Sequence, residues 1–169
     1  MQQESVTAAC VAARIETVFH SIQQTRMADV PILNHRLAVA AVGTQAWAGK
    51  WLSILVTPWC MNILILPDVA SSEGWTEARP GDTVKMRLPS GTYSFIAGTE
   101  PELGPFLMCS LFSPMLEFVD QAAAIATAEA AMGELLTPPE PKDTPAKETG
   151  AVSRSRRSLF GLDKVEAGR

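Results

Sequence analysis

The sequence predicts an α+β fold, in which an antiparallel sheet of about six strands is flanked by an N-terminal and a C-terminal helix. Two observations support this prediction. Apolar residues recur with a helical period near both ends of the first 136 residues. Between them lie short runs rich in Val, Ile, Leu and Trp, which Gly and Pro residues separate. The order of helix, strands and helix is typical of this fold class, and a disordered C-terminal tail is expected to follow.

The two helices are predicted from different signals. The first, over residues 6–25, has a single apolar stripe with a 3.6-residue period. That stripe comprises Val11, Ile15, Val18, Phe19 and Ile22. The last, over residues 116–136, is rich in Ala, which has a high helix propensity, and prolines follow it. A narrow face of small residues is expected to let this helix sit close against the sheet. That face comprises Leu116, Val119, Ala123, Ala126, Ala130 and Gly133.

Six strands are predicted between the helices, over residues 37–42, 50–57, 59–66, 83–88, 92–98 and 105–112. The second and third are almost entirely apolar and are therefore expected to lie in the middle of the sheet. Together they form an uncharged run of 17 residues, from Trp51 to Pro67. A membrane-spanning helix needs about 20 apolar residues, and Pro58 would break this one. Two buried strands and no membrane span are predicted.

Charge divides the chain into a domain (residues 1–136) and a tail (residues 137–169). The domain has 7 basic and 13 acidic residues, which gives −6; the tail has 7 basic and 5 acidic residues, which gives +2. The tail is too polar to pack a core and is predicted to be disordered. The acidic domain gives no reason to expect nucleic-acid binding. The three dispersed cysteines and the lack of a secretory signal favour a reducing cytoplasm.

The sequence gives little support for catalysis. Neither His20 nor His35 has a Ser, Cys or acidic residue at a spacing typical of a catalytic triad, and no Gly-rich phosphate loop follows a strand. We therefore predict no enzyme, no metal and no cofactor. A hydrolase that depends on His35 is left as a remote alternative.

The cysteines allow a second kind of function. Cys60 and Cys109 both lie in predicted strands and could meet across the sheet as a soft-metal or redox pair. Buried thiols also serve as small core residues. The first interpretation is the main alternative, a small-ligand or metal-handling protein that uses Cys60 and Cys109.

Aromatic and methionine residues concentrate around the second and third strands. Three tryptophans fall within 13 residues. Such residues are common in cores, but they are also typical of adaptable apolar grooves that bind peptides. The candidate peptide-binding residues are Trp47, Trp51, Pro58, Trp59, Met61 and Met86. Both interpretations remain open.

Three blocks of sequence give a more specific indication. They are TPWCMNILILP (residues 57–67), LPSGTYSF (residues 88–95) and CSLFSPM (residues 109–115). In this order, they resemble blocks of the HybE/HupJ/HoxT family of assembly chaperones for nickel–iron hydrogenases. The resemblance extends over roughly residues 31–136.

This resemblance implies a cytoplasmic, non-catalytic accessory protein. Its partners would be the small or large hydrogenase subunit precursor and other hydrogenase accessory proteins. The precursor would be held until cofactor insertion is complete and twin-arginine export proceeds. Some relatives carry a rubredoxin-like iron domain with paired C-x-x-C motifs. This chain has no such pair, so no rubredoxin iron is predicted.

The tail contains one further motif. Ser155, Arg156, Arg157, Leu159 and Phe160 resemble the core of a twin-arginine export signal, but no apolar region follows them. The segment is either a solvated basic tail or a mimic of the client's signal. In the second case it would occupy an acidic, Trp-lined groove of the free chaperone. Deletion of residues 154–169 is then expected to tighten binding of a hydrogenase signal peptide.

Overall fold

The computed structural model describes residues 6–71 and 75–141 and confirms the α+β class. The elements are α1 (Ala8–Gln24), β1 (Ala40–Trp47), β2 (Lys50–Val56), β3 (Met61–Pro67), β4 (Thr83–Leu88), β5 (Gly91–Glu100), β6 (Gly104–Phe112) and α2 (Gln121–Leu136). Residues from 142 onward lie outside the described residues. The predicted disorder of the tail and the twin-arginine-like segment fall in this part of the chain.

The six strands form one antiparallel sheet in the order β1-β2-β3-β6-β5-β4. β2 and β3 are inner strands, as predicted, and every residue of β2 is buried. The apolar run of residues 51–67 is therefore two paired strands rather than a helix. Across the described parts of the chain, neither helix is long and apolar enough to cross a membrane.

Each face of the sheet supports its own core, because side chains alternate along a strand. α1 packs against β1 and β2 on one face, and α2 packs against the same strands on the other. The predicted stripe of α1 is buried at four of its five positions, and Ile22 is half-buried. We call the two sides of the sheet the α1 face and the α2 face.

β1 lies further along the chain than predicted. It begins at Ala40 and continues through Gly43 to Trp47, whereas the prediction ended the strand just before that glycine. Gly43 has φ +64° and lies where the register with β2 shifts, between Val42 and Gln45. A Cβ at Gly43 would lie 3.1 Å from the Cγ of Met132 in α2. Gly43 therefore makes a bulge under α2 instead of ending the strand.

α2 is shorter than predicted and uses a different face. It begins at Gln121, and the Asp120 side chain caps it by accepting the Ala123 N–H at 2.8 Å. The predicted face was wrong, since Ala126, Ala130 and Gly133 are exposed. Small residues do contact the sheet, but from another face. The buried residues are Ala124, Ala128, Ala131, Met132 and Leu135.

β1 and β4 are the outermost strands of the sheet. β4 is only six residues long, and its side chains alternate. Val84, Met86 and Leu88 point toward the α2 core, whereas Lys85 and Arg87 are exposed. One outer strand thus carries a bulge, and the other carries two exposed cations.

Candidate functional site

The three sequence blocks that resemble the chaperone family converge at one edge of the sheet. Because neighbouring strands are antiparallel, the β2–β3 turn, the β4–β5 turn and the end of β6 lie at the same edge. We call residues 57–62, 88–91 and 109–118, with the segment 31–38 that packs on them, the motif edge. The opposite edge contains the β1–β2 and β5–β6 turns.

Thr57 organises the β2–β3 turn. Its hydroxyl oxygen accepts the N–H groups of Trp59, at 3.2 Å, and Cys60, at 2.9 Å. The same hydroxyl donates to the Cys60 carbonyl at 2.9 Å. Thr57 has no exposed surface, so these bonds satisfy a buried hydroxyl and fix the turn.

Asn34 ties three segments of the motif edge together. Its Nδ2 donates to the carbonyls of Met115, at 2.9 Å, and Phe118, at 2.8 Å. Its backbone N–H donates to the Pro58 carbonyl at 2.8 Å. Its Oδ1 accepts the Arg36 N–H at 3.1 Å. No sequence pattern indicates this role for Asn34, because its partners are carbonyls up to 84 positions away.

Cys60 and Asn62 also lie at this edge. Burial raises the pKa of the Cys60 thiol, and hydrogen bonds from Thr57 and Asn62 offset part of that rise. The Asn62 Nδ2 is 3.8 Å from the sulfur of Met108, and its Oδ1 is buried without a hydrogen-bond partner. A protonated, buried thiol of this kind is a weak nucleophile and a weak metal ligand.

Cys60 and Cys109 do not meet, which corrects one expectation. Cys109 pairs with Ile63 across β3 and β6, and Ile63 is three residues along the chain from Cys60. Cys109 belongs to the α2 core. Cys60 has the same side-chain parity as Leu64, which belongs to the α1 core. The two thiols thus lie on opposite faces, and this geometry does not form the proposed metal or redox pair.

Other groups give no sign of catalysis or metal binding within the described residues. His20 and His35 are both exposed, and the Nε2 of His20 lies 3.1 Å from the Nε2 of Gln24. No cluster of three or more His, Cys, Asp or Glu residues suited to a metal occurs in residues 6–71 and 75–141.

The sheet separates the six candidate peptide-binding residues. Those on the α2 face are Trp47, Met61 and Met86, and those on the α1 face are Trp51 and Trp59. Pro58 is buried in the turn, and Met61 has no exposed surface. The structure therefore does not bring the six together as one groove. Trp47, Trp59 and Met86 are partly exposed, and the other three are buried.

A groove lies at the opposite edge, on the α1 face. It has a cavity volume of about 340 Å³, at the lower end of the range of ligand pockets. Its apolar lining includes Val6, Val11, Trp51, Leu66, Val69 and Leu103. Val69 is 80 % exposed, whereas Trp51 is 8 % exposed. The groove thus has an apolar floor and an accessible apolar rim.

Arg14 holds the wall of this groove. Its Nη2 donates to the carbonyls of Leu103, at 3.2 Å, and Glu102, at 3.4 Å, both in the β5–β6 turn. A second cavity of about 200 Å³ also has Arg14 and Glu102 in its lining and continues along α1. The groove is therefore elongated, with one cation and one carboxylate at its middle.

Among the residues that line the groove, Trp51 alone was predicted to bind a peptide, and Val11 and Leu66 were predicted only as parts of a helix and a strand. Val6 precedes a helix, Val69 lies in a segment whose composition indicates a loop, and Leu103 lies in a Pro- and Gly-rich turn. The one available signal was an apolar residue inside each polar loop. Such a residue predicts neither its own solvent exposure nor which loops lie close together in the fold.

Comparison with known proteins identifies the family. Residues 10–162 match the family model described as NiFe-hydrogenase assembly, chaperone, HybE. The chain is 39 % identical to Protein HoxT of Cupriavidus necator, over 94 % of each chain. It is 38 % identical to the hydrogenase expression/formation protein HupJ of Bradyrhizobium diazoefficiens, over 84 % of this chain and 81 % of that protein.

The fold agrees with this assignment. The solution structure of HybE from Escherichia coli matches with a TM-score of 0.60 and 24 % identity, over 88 % of this chain and 91 % of that chain. The chain described here belongs to the HybE family of nickel–iron hydrogenase assembly chaperones.

Proposed function

We propose that the protein binds an immature nickel–iron hydrogenase subunit and holds it until cofactor insertion is complete and twin-arginine export proceeds. We further propose that an apolar segment of this precursor lies in the groove at the edge opposite the motif edge. The groove is the observation that carries the proposal. It is open and apolar, and it is walled by a helix and a turn.

Physical chemistry favours this surface for a client that has not finished folding. Such a client exposes apolar segments, and their burial contributes about 25 cal/mol per Å². Val6 and Val69 already face solvent, so a bound segment would cover them without unfolding the chaperone. Arg14 and Glu102 can meet polar groups on the segment. Trp51 is the member of the predicted set that supplies the floor.

The first test substitutes the exposed rim. We expect Val69→Asp to weaken binding of the precursor at least about tenfold, or about 1.4 kcal/mol, because it places a carboxylate against the bound apolar segment. The folded protein should retain its stability, since Val69 is 80 % exposed. Calorimetry with separately purified small- and large-subunit precursors would measure both affinities and identify the client.

The matched control is Ile96→Asp, which makes the same kind of change on β5, away from β1 and β2, on which the two helices pack. Ile96 is 40 % exposed and does not line the groove. This variant should bind the precursor as the natural chain does. Equal affinities for all three proteins would place the client elsewhere. Binding to neither precursor by the natural chain would overturn the proposed function itself.

A further inference from the structure

Exposed apolar side chains also gather at the motif edge. Six large apolar side chains are markedly exposed in the described residues, and three of them belong to two adjoining segments. We call these three, Ile32, Leu116 and Val119, the apolar patch. They are 43 %, 61 % and 65 % exposed. Single exposed apolar residues are ordinary, but a group of them marks an interaction site.

The segments that carry the patch are held in place. Asn34 links them, through its bonds to the carbonyls of Met115 and Phe118. Each exposed member also has a buried apolar neighbour in the chain, because Leu33, Met115 and Phe118 are buried. The patch is therefore preformed rather than part of a loose loop, which lowers the entropic cost of binding.

The surroundings of the patch are acidic. Asp29, Glu117 and Asp120 are exposed, and each lies within three residues of a patch member in the chain. Arg26 is engaged by Glu100, with a 2.7 Å contact between Nη2 and Oε1. Arg36 is then the remaining cation of these segments. The patch thus suits a partner that combines positive charge with apolar side chains.

We infer that the chain's own residues 154–160 dock on this patch. This segment places Arg154, Arg156 and Arg157 next to Leu159 and Phe160. No acidic residue occurs between positions 149 and 162. Three cations would face three carboxylates, and two apolar side chains would cover the patch.

The length of the chain permits this contact. α2 begins one residue after Asp120 and has 16 residues, which gives a length of about 24 Å. The 13 residues from 142 to 154 can span up to about 44 Å when extended. The segment can therefore return along α2 to the patch. An intramolecular ligand also has an effective concentration in the millimolar range, so even weak docking is populated.

Docking here is independent of the proposed client groove, which lies at the opposite edge. The patch supplies the acidic and apolar surface that the twin-arginine-like segment requires. It contains none of the six residues first considered for peptide binding. The natural consequence is that the free protein covers three exposed apolar side chains with its own tail.

Methyl NMR spectra of the full-length chain test this inference. We expect the double variant Arg156→Glu/Arg157→Glu to shift the methyl signals of Ile32, Leu116 and Val119, because the docked segment leaves them. The signals of Val69 and Ile96 should stay in place. A synthetic peptide of residues 153–162, added to this variant, should return the patch signals toward their natural positions in a saturable manner.

The matched control is Lys142→Glu/Lys147→Glu, which makes the same change in charge nearer to α2. It should leave the patch signals where they are. The inference is wrong if the arginine variant leaves the three patch signals unchanged, or if the lysine control shifts them equally. Precursor binding is not measured in this experiment, so its outcome and that of the proposed function are separate.

Discussion

The two edges of the sheet differ in how they use polar and apolar side chains. At the motif edge, Asn34 and Thr57 are buried and hydrogen-bonded. Thr57 fixes the β2–β3 turn, and Asn34 joins segments far apart in the sequence. At the groove edge, Val6 and Val69 are exposed over a buried Trp51. The residues by which the family is recognised thus mainly build the scaffold. At the groove, Leu66 and Pro67 belong to the first block, but the exposed rim at Val6 and Val69 lies in segments without a recognisable pattern.

The difference has a physical reason. A turn that must satisfy several buried backbone groups tolerates few residue types, because each unmatched group costs about 1–3 kcal/mol. An apolar groove accepts many combinations of side chains as long as the surface stays apolar. Sequence patterns are therefore strong at the motif edge and weak at the groove. The apolar patch combines both features, because its side chains are exposed but its backbone is held by the hydrogen bonds of Asn34.

The largest expected effect is at the motif edge. Asn34→Ala should lower the free energy of unfolding by about 3 kcal/mol, because two buried carbonyls and one N–H lose their partner. Urea denaturation followed by tryptophan fluorescence would measure it. His35→Ala, at the exposed neighbouring position, should change stability by less than about 0.5 kcal/mol. A loss below 1 kcal/mol for Asn34→Ala would show that this edge is not the rigid part of the molecule.

A smaller effect is expected near the groove edge, where Phe106 lies over Gly98. A Cβ at Gly98 would lie 2.7 Å from the Phe106 ring. That ring makes an edge-on contact with Phe19 of α1, with 6.2 Å between centroids. Gly98→Ala should therefore destabilise the protein by about 2 kcal/mol and loosen α1.

Gly133→Ala is the matched control for this prediction. Gly133 lies in α2, and a Cβ there would meet nothing within 4 Å. Higher helix propensity should make this variant more stable by about 0.5–1 kcal/mol. Thermal unfolding compares the two variants directly. Equal effects of the two substitutions would contradict the close approach of the Phe106 ring.

The smallest effect concerns the pH dependence of the motif edge. The fold keeps Cys60 protonated, because burial raises the pKa of its thiol above the ordinary value of 9.0. The resulting contribution to stability is complete below that pH and is lost as the pH rises through the raised pKa. The stability of the natural chain should thus fall more steeply above pH 9 than that of Cys60→Ala. Parallel curves in chemical denaturation would exclude a buried thiol.

Much of the fold could be predicted because the apolar runs have clear periods. β2 and β3 are almost entirely apolar, which is typical of inner strands, and the stripe of α1 has the regularity of a helix. The end of β1 was predicted wrongly because a glycine is typical of a strand end, whereas Gly43 forms a bulge under Met132. The face of α2 was missed because alanines lie all around the helix and give no contrast between its sides.

The candidate site was harder to predict because it depends on contacts between distant segments. The sequence cannot show that Trp51 and Trp59 lie on one face while Trp47 lies on the other, since bulges and turns set the side-chain parity. Nor can it show that residues before α1 meet the β5–β6 turn, which is what creates the groove. The composition indicates which aromatic residues are candidates, but it does not predict which of them lie together in space.

The outer strands have a consequence for a protein that also exposes apolar side chains. An edge strand has unpaired backbone groups that can pair with another molecule, and exposed apolar side chains nearby favour such aggregation. The bulge at Gly43 interrupts one border, and Lys85 and Arg87 place positive charge along the other. Two copies of the protein are thereby discouraged from pairing at these strands and growing into fibrils, even at high protein concentration.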